Sequence, residues 1–151
     1  MTNTPSAANT SFDAAQSPAQ TNATPRAMLW TGYLFSGIVV LFMLMDSVMK
    51  ILQLPVVIET TAQLGYAHAA LPPRTLGWMF LVFTALYAIR RTAVLGAILL
   101  TAVMGGAIAT HVRVGSPVFT HILFGVYLAI FTWGGLYLRD AQVRALLPFR
   151  R

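Results

Sequence analysis

The 151-residue chain has no cysteine, only three histidines and four acidic residues, and only 9% of it is charged. The missing thiols exclude disulfides, thiolate metal sites, thiol redox catalysis and iron–sulfur clusters held by this chain. With three imidazoles available, a metal centre would need mixed histidine and carboxylate ligands, and no such set has a diagnostic spacing, so no metal is assigned. No phosphate-binding loop, dinucleotide glycine pattern, metalloprotease motif or nucleophile elbow occurs. Soluble domains are roughly a quarter charged. A chain with this little charge and 57% hydrophobic residues could not hide its apolar surface in water. The formal charge of +6 does not point to nucleic acid: the arginines stand singly or in pairs at the ends of apolar runs and form no basic stripe with interleaved aromatics. That placement belongs to helix ends at lipid headgroups, and the partner it implies is a bilayer.

What is present is a set of long apolar runs, of which Ala93 to Arg113 is the most regular. Small residues recur in it at every fourth position, Ala93, Ala97, Thr101, Gly105 and Ala109, with a second row of Ala102, Gly106 and Thr110 beside them. On a helix such rows form a smooth face that lets neighbouring helices approach closely. The run predicts the central helix of a small membrane bundle.

The other elements follow in order. Residues 1–25 are a polar tail rich in Thr, Ser, Ala, Asn, Gln and Pro, with Asp13 its only charge. Such a segment cannot bury enough surface to offset chain entropy and is expected to be disordered. Residues 26–151 form the membrane domain. Spans are expected at about 28–52, 74–89, 92–110 and 118–138, near the 20 or so residues a crossing needs, with the second one short. Gly32 and Ser36 suit close packing, and Trp30, Tyr33, Trp78, Tyr87, Trp133 and Tyr137 suit headgroup anchoring. Between the first two spans, Pro55 suits a helix start and Gly65 a helix stop, which predicts a short interfacial helix in the first outer loop. The fold class is therefore all-α, a membrane four-helix bundle.

Four spans place both termini on one side. That side gathers Arg26, Arg90, Arg91, Arg139, Arg144, Arg150 and Arg151, against Lys50, Arg74 and Arg113 on the other. The positive-inside rule then makes both termini cytoplasmic. Asp140 beside Arg139 reads as a charge pair at a helix end.

The same topology collects Asp46, Lys50, Glu59, His68, Arg74, His111, Arg113 and His121 on the outer side. Asp46 and Lys50 are four apart in the favourable acid-first order. His111 and His121 flank a tight turn through Gly115 and Pro117, which brings them close. This set suggests a polar pocket under the Pro55–Leu64 segment. Asp46 or Glu59 would accept a proton, His111 would relay one near neutral pH, and Arg113 would hold an anionic or carbonyl group. The competing reading is that Asp46 pairs with Lys50 or Arg113 only to tie helices together. His68 reads as a loop residue.

Asp46-Ser47-Val48-Met49-Lys50, Leu64-Gly65-Tyr66, Arg91-Thr92-Ala93-Val94-Leu95-Gly96-Ala97, Gly105-Gly106-Ala107 and His111-Val112-Arg113, with Leu136-Tyr137-Leu138-Arg139-Asp140 and Leu146-Leu147-Pro148 near the end, resemble the DoxX-like family of small bacterial membrane proteins. The resemblance runs from about Met28 to Pro148. It implies a four-helix protein of the bacterial inner membrane. Relatives in the wider group are associated with quinone-linked oxidation of sulfur compounds or with oxidative-stress complexes, and no catalytic residue is carried over. Three functions follow as expectations. The first is an accessory subunit holding a quinone or other lipid-like ligand near the outer helix ends, beside a membrane redox partner or another copy of itself. The second is a quinone-linked oxidoreductase component. The third is a structural or transport subunit; four short helices without inverted repeats argue against an autonomous transporter.

Overall fold

Pro25 carries the fixed φ that opens a helix and lacks the N–H a helix interior would need. From it α1 runs over Arg26–Ile51. The computed structural model describes residues 25–66 and 73–146; the tail, His68 and the last five residues lie outside them. α2 (Pro55–Thr61) follows and passes into an irregular turn over Ala62–Tyr66. Next come α3 (Pro73–Ala88), α4 (Ala93–Arg113) and, after a wound turn over Val118–Ile122, α5 (Leu123–Arg139). A short α6 (Ala141–Leu146) closes the described chain. Every regular element among the described residues is helical. α4 runs to Arg113, a little beyond the span end expected near 110, and its last turn holds His111 and Arg113.

The four long helices pack in a ring: α1 lies against α3 and α5, and α4 closes the circuit by contacting both of them. Among the described residues three helical stretches are long and apolar enough to cross a membrane: Arg26–Ile51, Ala93–Arg113 and Val118–Arg139. α3 has 16 residues. At 1.5 Å per residue that is about 24 Å, shorter than the roughly 30 Å hydrocarbon layer. Outward-facing Trp30, Leu34, Leu41, Ile98 and Ile130 are exposed, an apolar periphery that suits lipid rather than water.

One end of the ring is packed tightly. A Cβ on Gly96 would lie 2.2 Å from the backbone nitrogen of Tyr87, so α3 and α4 touch main chain to side-chain-free main chain. Gly135 plays the same part between α5 and α1, where a Cβ would lie 2.5 Å from Ser36 Oγ. Tyr87 was expected among the headgroup anchors, and the structure corrects this. It is fully buried, and its hydroxyl hydrogen-bonds Ser36 Oγ of α1 at 3.0 Å and the Thr132 carbonyl of α5 at 2.9 Å. A phenol buried this deeply needs such partners, and here they join three helices. Trp133, also expected as an anchor, is half-buried and donates from Nε1 to Thr101 Oγ1 at 2.9 Å. Asp140 caps α6, accepting the Gln142 N–H at 2.9 Å.

The row of small residues on α4 divides in two. Ala93 and Ala97 are buried, whereas Gly105 and Ala109 are exposed, and a Cβ on Gly105 meets nothing within 4 Å. Within one chain only the first half of the row packs a neighbouring helix. Gly96→Ala should therefore destabilise by about 1–3 kcal/mol through overpacking. Gly105→Ala should be neutral or gain up to about 1 kcal/mol from helix propensity. Unfolding midpoints in detergent titrated with sodium dodecyl sulfate check the contrast; equal midpoints would contradict it.

Candidate functional site

Away from the tight end the helices enclose a cavity of about 540 Å³. Its α4 wall is the stripe Val103, Gly106, Ala107 and Thr110, at the i, i+3, i+4, i+7 spacing of one helical face. Small residues make this wall recede: a Cβ on Gly106 meets nothing within 4 Å. Phe42, Met43 and Met49 of α1, Leu76, Met79 and Phe80 of α3, and Phe124 and Leu128 of α5 supply an apolar lining. α2 and the turn after it form the roof through Val57, Thr60, Thr61, Leu64 and Tyr66.

Four of the six candidate residues line this chamber: Asp46, Lys50, His111 and His121. The Asp46 carboxylate accepts a hydrogen bond from Lys50 Nζ one helical turn away. Both side chains are partly buried, and the Lys50 ammonium also lies 5.2 Å from the Phe80 ring centroid. An ion pair with an aromatic neighbour is how a charge persists in an apolar wall, since an unpaired one is costly to desolvate.

The two imidazoles meet edge to face with ring centroids 5.3 Å apart. The turn between them accounts for this. Gly115 adopts φ 70°, in the left-handed region glycine tolerates, and the Ser116 N–H returns to the His111 carbonyl at 3.0 Å. His111 Nδ1 then meets Ser116 Oγ at 2.9 Å, and His121 Nδ1 meets Thr120 Oγ1 at 2.8 Å. Each ring is held by its Nδ1, and neither Nε2 has a hydrogen-bond partner among the described residues. Such an Nε2 serves as donor or acceptor according to tautomer.

The other two candidates lie elsewhere. Glu59 is exposed on α2 and does not line the chamber, so the expected choice between Asp46 and Glu59 narrows to Asp46. Arg113 was expected to hold a ligand group. Its Nη2 instead donates to the Leu64 carbonyl at 2.7 Å, fastening the roof to α4. Tyr66, which only the family resemblance had singled out, adds a second fastening: its hydroxyl lies 3.2 Å from Thr110 Oγ1. Gly65, expected as a helix stop, takes φ 86° between these two ties. Among the described residues no three His, Asp or Glu side chains converge as a metal set.

The chamber can thus take an apolar body of small-molecule size. At one end it offers an ammonium, a carboxylate and two imidazoles to a polar head. The model of the DoxX-like family matches residues 34–135, a stretch that contains the α1, α3, α4 and α5 walls just described. No curated protein and no solved structure matches the chain.

The Arg113 tie generates a prediction about the roof. A charge-assisted hydrogen bond contributes up to about 2 kcal/mol, less at an exposed site. Arg113→Ala should therefore speed amide hydrogen exchange over 62–66 by roughly tenfold or more, with the amides of α1 and α5 unchanged. Unaltered exchange in the roof would show that the tie does not hold it.

Proposed function

The chain belongs to the DoxX-like family, and from that premise we propose that it is a four-span protein of the bacterial inner membrane. It binds an amphiphilic, lipid-soluble molecule of the quinone type and serves a membrane redox partner as an accessory subunit. The observation that carries the reading is the 540 Å³ chamber, apolar over most of its surface, with Asp46, Lys50, His111 and His121 among its lining. A quinone has the matching division into an apolar body and hydrogen-bond acceptors, and when bound it would supply the electron-carrying chemistry. In this reading Lys50 Nζ and an imidazole Nε2 donate to its oxygens. The apolar walls exclude water. Asp46 and His111 are the groups placed to exchange protons with the head.

The four-span topology has its own support. Arg26, Arg90, Arg91, Arg139 and Arg144 all fall at the tight end, which is then cytoplasmic by the positive-inside rule. α3 crosses as the short span, with local thinning of the bilayer. Arg74 at its start reaches the Ile51 carbonyl at 3.1 Å and Gln53 Oε1 at 3.2 Å, so its charge lies with polar atoms at the helix end. α2 lies in the outer interface, with Val57 buried, Val56 on the chamber side and Ile58 exposed to the headgroup region.

Gly106→Leu tests the binding site directly, because it adds volume where nothing stands within 4 Å. In lipid nanodiscs this variant should fold as well as the parent and lose retention of a short-chain ubiquinone analogue. His111→Ala and Asp46→Asn should each weaken binding by roughly tenfold, the worth of about one polar contact. Retention by folded Gly106→Leu equal to that of the parent would exclude the chamber as the binding site.

A further inference from the structure

The tight end of the ring holds a second arrangement, independent of the chamber. Among the described residues its charges are Arg26, Arg90, Arg91, Arg139 and Arg144, with Asp140 the only acid. Arg139 is held in place: its guanidinium carbon lies 5.2 Å from the Tyr87 ring centroid and 5.9 Å from that of Tyr33, and Nη2 donates to the Tyr87 carbonyl at 3.3 Å. Stacking on aromatic rings leaves the in-plane N–H groups of a guanidinium directed outward. Arg90 is exposed, and it makes no hydrogen bond or ion pair among the described residues. Arg90, Arg139 and Tyr33 line one recess, together with Ala93, Leu136 and Asp140.

We infer that this recess binds the phosphodiester of an acidic phospholipid, with Arg90 and Arg139 sharing the phosphate. Three observations select a lipid phosphodiester, and the five arginines at this end disfavour a lipid whose head also carries a cation. Arginine forks match phosphate oxygens in bidentate geometry, and neither guanidinium has a carboxylate partner among the described residues. The recess has room for about 10 Å³, one oxygen rather than a whole headgroup, so the rest of the phosphate lies across its mouth toward exposed Arg90. The Asp140 carboxylate on the rim repels a dianion more than a monoanion, which favours a lipid phosphodiester over inorganic phosphate. The site needs only that the chain lies in a bilayer, and it stands or falls apart from the chamber's ligand.

The test uses the full chain in nanodiscs of equal phosphatidylglycerol and phosphatidylcholine, with retained lipid read by native mass spectrometry. Two basic groups at a membrane surface should enrich phosphatidylglycerol over phosphatidylcholine by about tenfold or more. Arg90→Gln should remove most of that enrichment while leaving the fold unchanged, since Arg90 makes no contact the fold needs. Arg139→Gln should do the same where it folds. Arg113→Gln, at the opposite end, should leave the enrichment intact. Equal retention of both lipids by the parent, or a loss as large in Arg113→Gln as in Arg90→Gln, would overturn the site. A rise in unfolding midpoint with inorganic phosphate matching that with phosphatidylglycerol would overturn the lipid as its occupant.

Discussion

Tyr87 is the point at which the four long helices are joined. Its hydroxyl holds α1 and α5 through Ser36 and Thr132, its backbone abuts Gly96 of α4, and its carbonyl receives Arg139. In an apolar surround a buried phenol without partners is costly, so these bonds are required wherever the ring is buried at all. Satisfying them brings α3 to within main-chain distance of α4, and only glycine at position 96 permits that. The register of the four helices at this end follows from one side chain and the small residues that receive it.

A ring held at one end leaves the other end to be filled or left open. Large side chains on α4 would fill it. The chain instead has Gly106 and Ala107 on the inward stripe, and α1, α3 and α5 supply bulky residues that line the space without closing it. The polar groups sit where the chamber nears the helix ends, and each is held: Asp46 by Lys50, His111 by Ser116, His121 by Thr120. Among the described residues the roof is hydrogen-bonded to α4 through Leu64 and Tyr66, on either side of Gly65 with its left-handed backbone. Helical walls with a lightly tied roof suit the entry of the ligand proposed above.

Much of this was legible in the residues. Helix bounds came within a few residues because apolar runs in a membrane chain end where arginine, proline or glycine begins. The Asp46–Lys50 pair and the proximity of His111 and His121 were readable because they depend on local spacing, four residues on a helix and a tight turn. What escaped depends on which way a helix faces. Tyr87 has the composition of an anchor, and only the rotation of α3 turns it inward. Glu59 and Arg113 share the outer side with the chamber but not its interior, a distinction that side counting cannot make. The small residues on α4 illustrate the limit best. Ala93 and Ala97 of the main row pack a neighbour, Gly105 and Ala109 of the same row are exposed, and Gly106 and Thr110 of the row beside it line the chamber, distinctions that sequence spacing alone does not make.

That ambiguity bears on how a chain of this size carries a site at all. A soluble bundle spends its large apolar residues on the core, because water drives them inward. In lipid that drive is absent, and packing and polar ties hold the helices instead. A membrane bundle can therefore join its helices through the buried polar ties of Tyr87 at one end and through close glycine contacts at the other, where Gly77 meets α1 and Gly125 meets α4, and still leave a chamber between them. The tied end also carries the arginines that face the headgroups. The polar ties of Tyr87 thus leave the opposite end free to vary its lining and its roof.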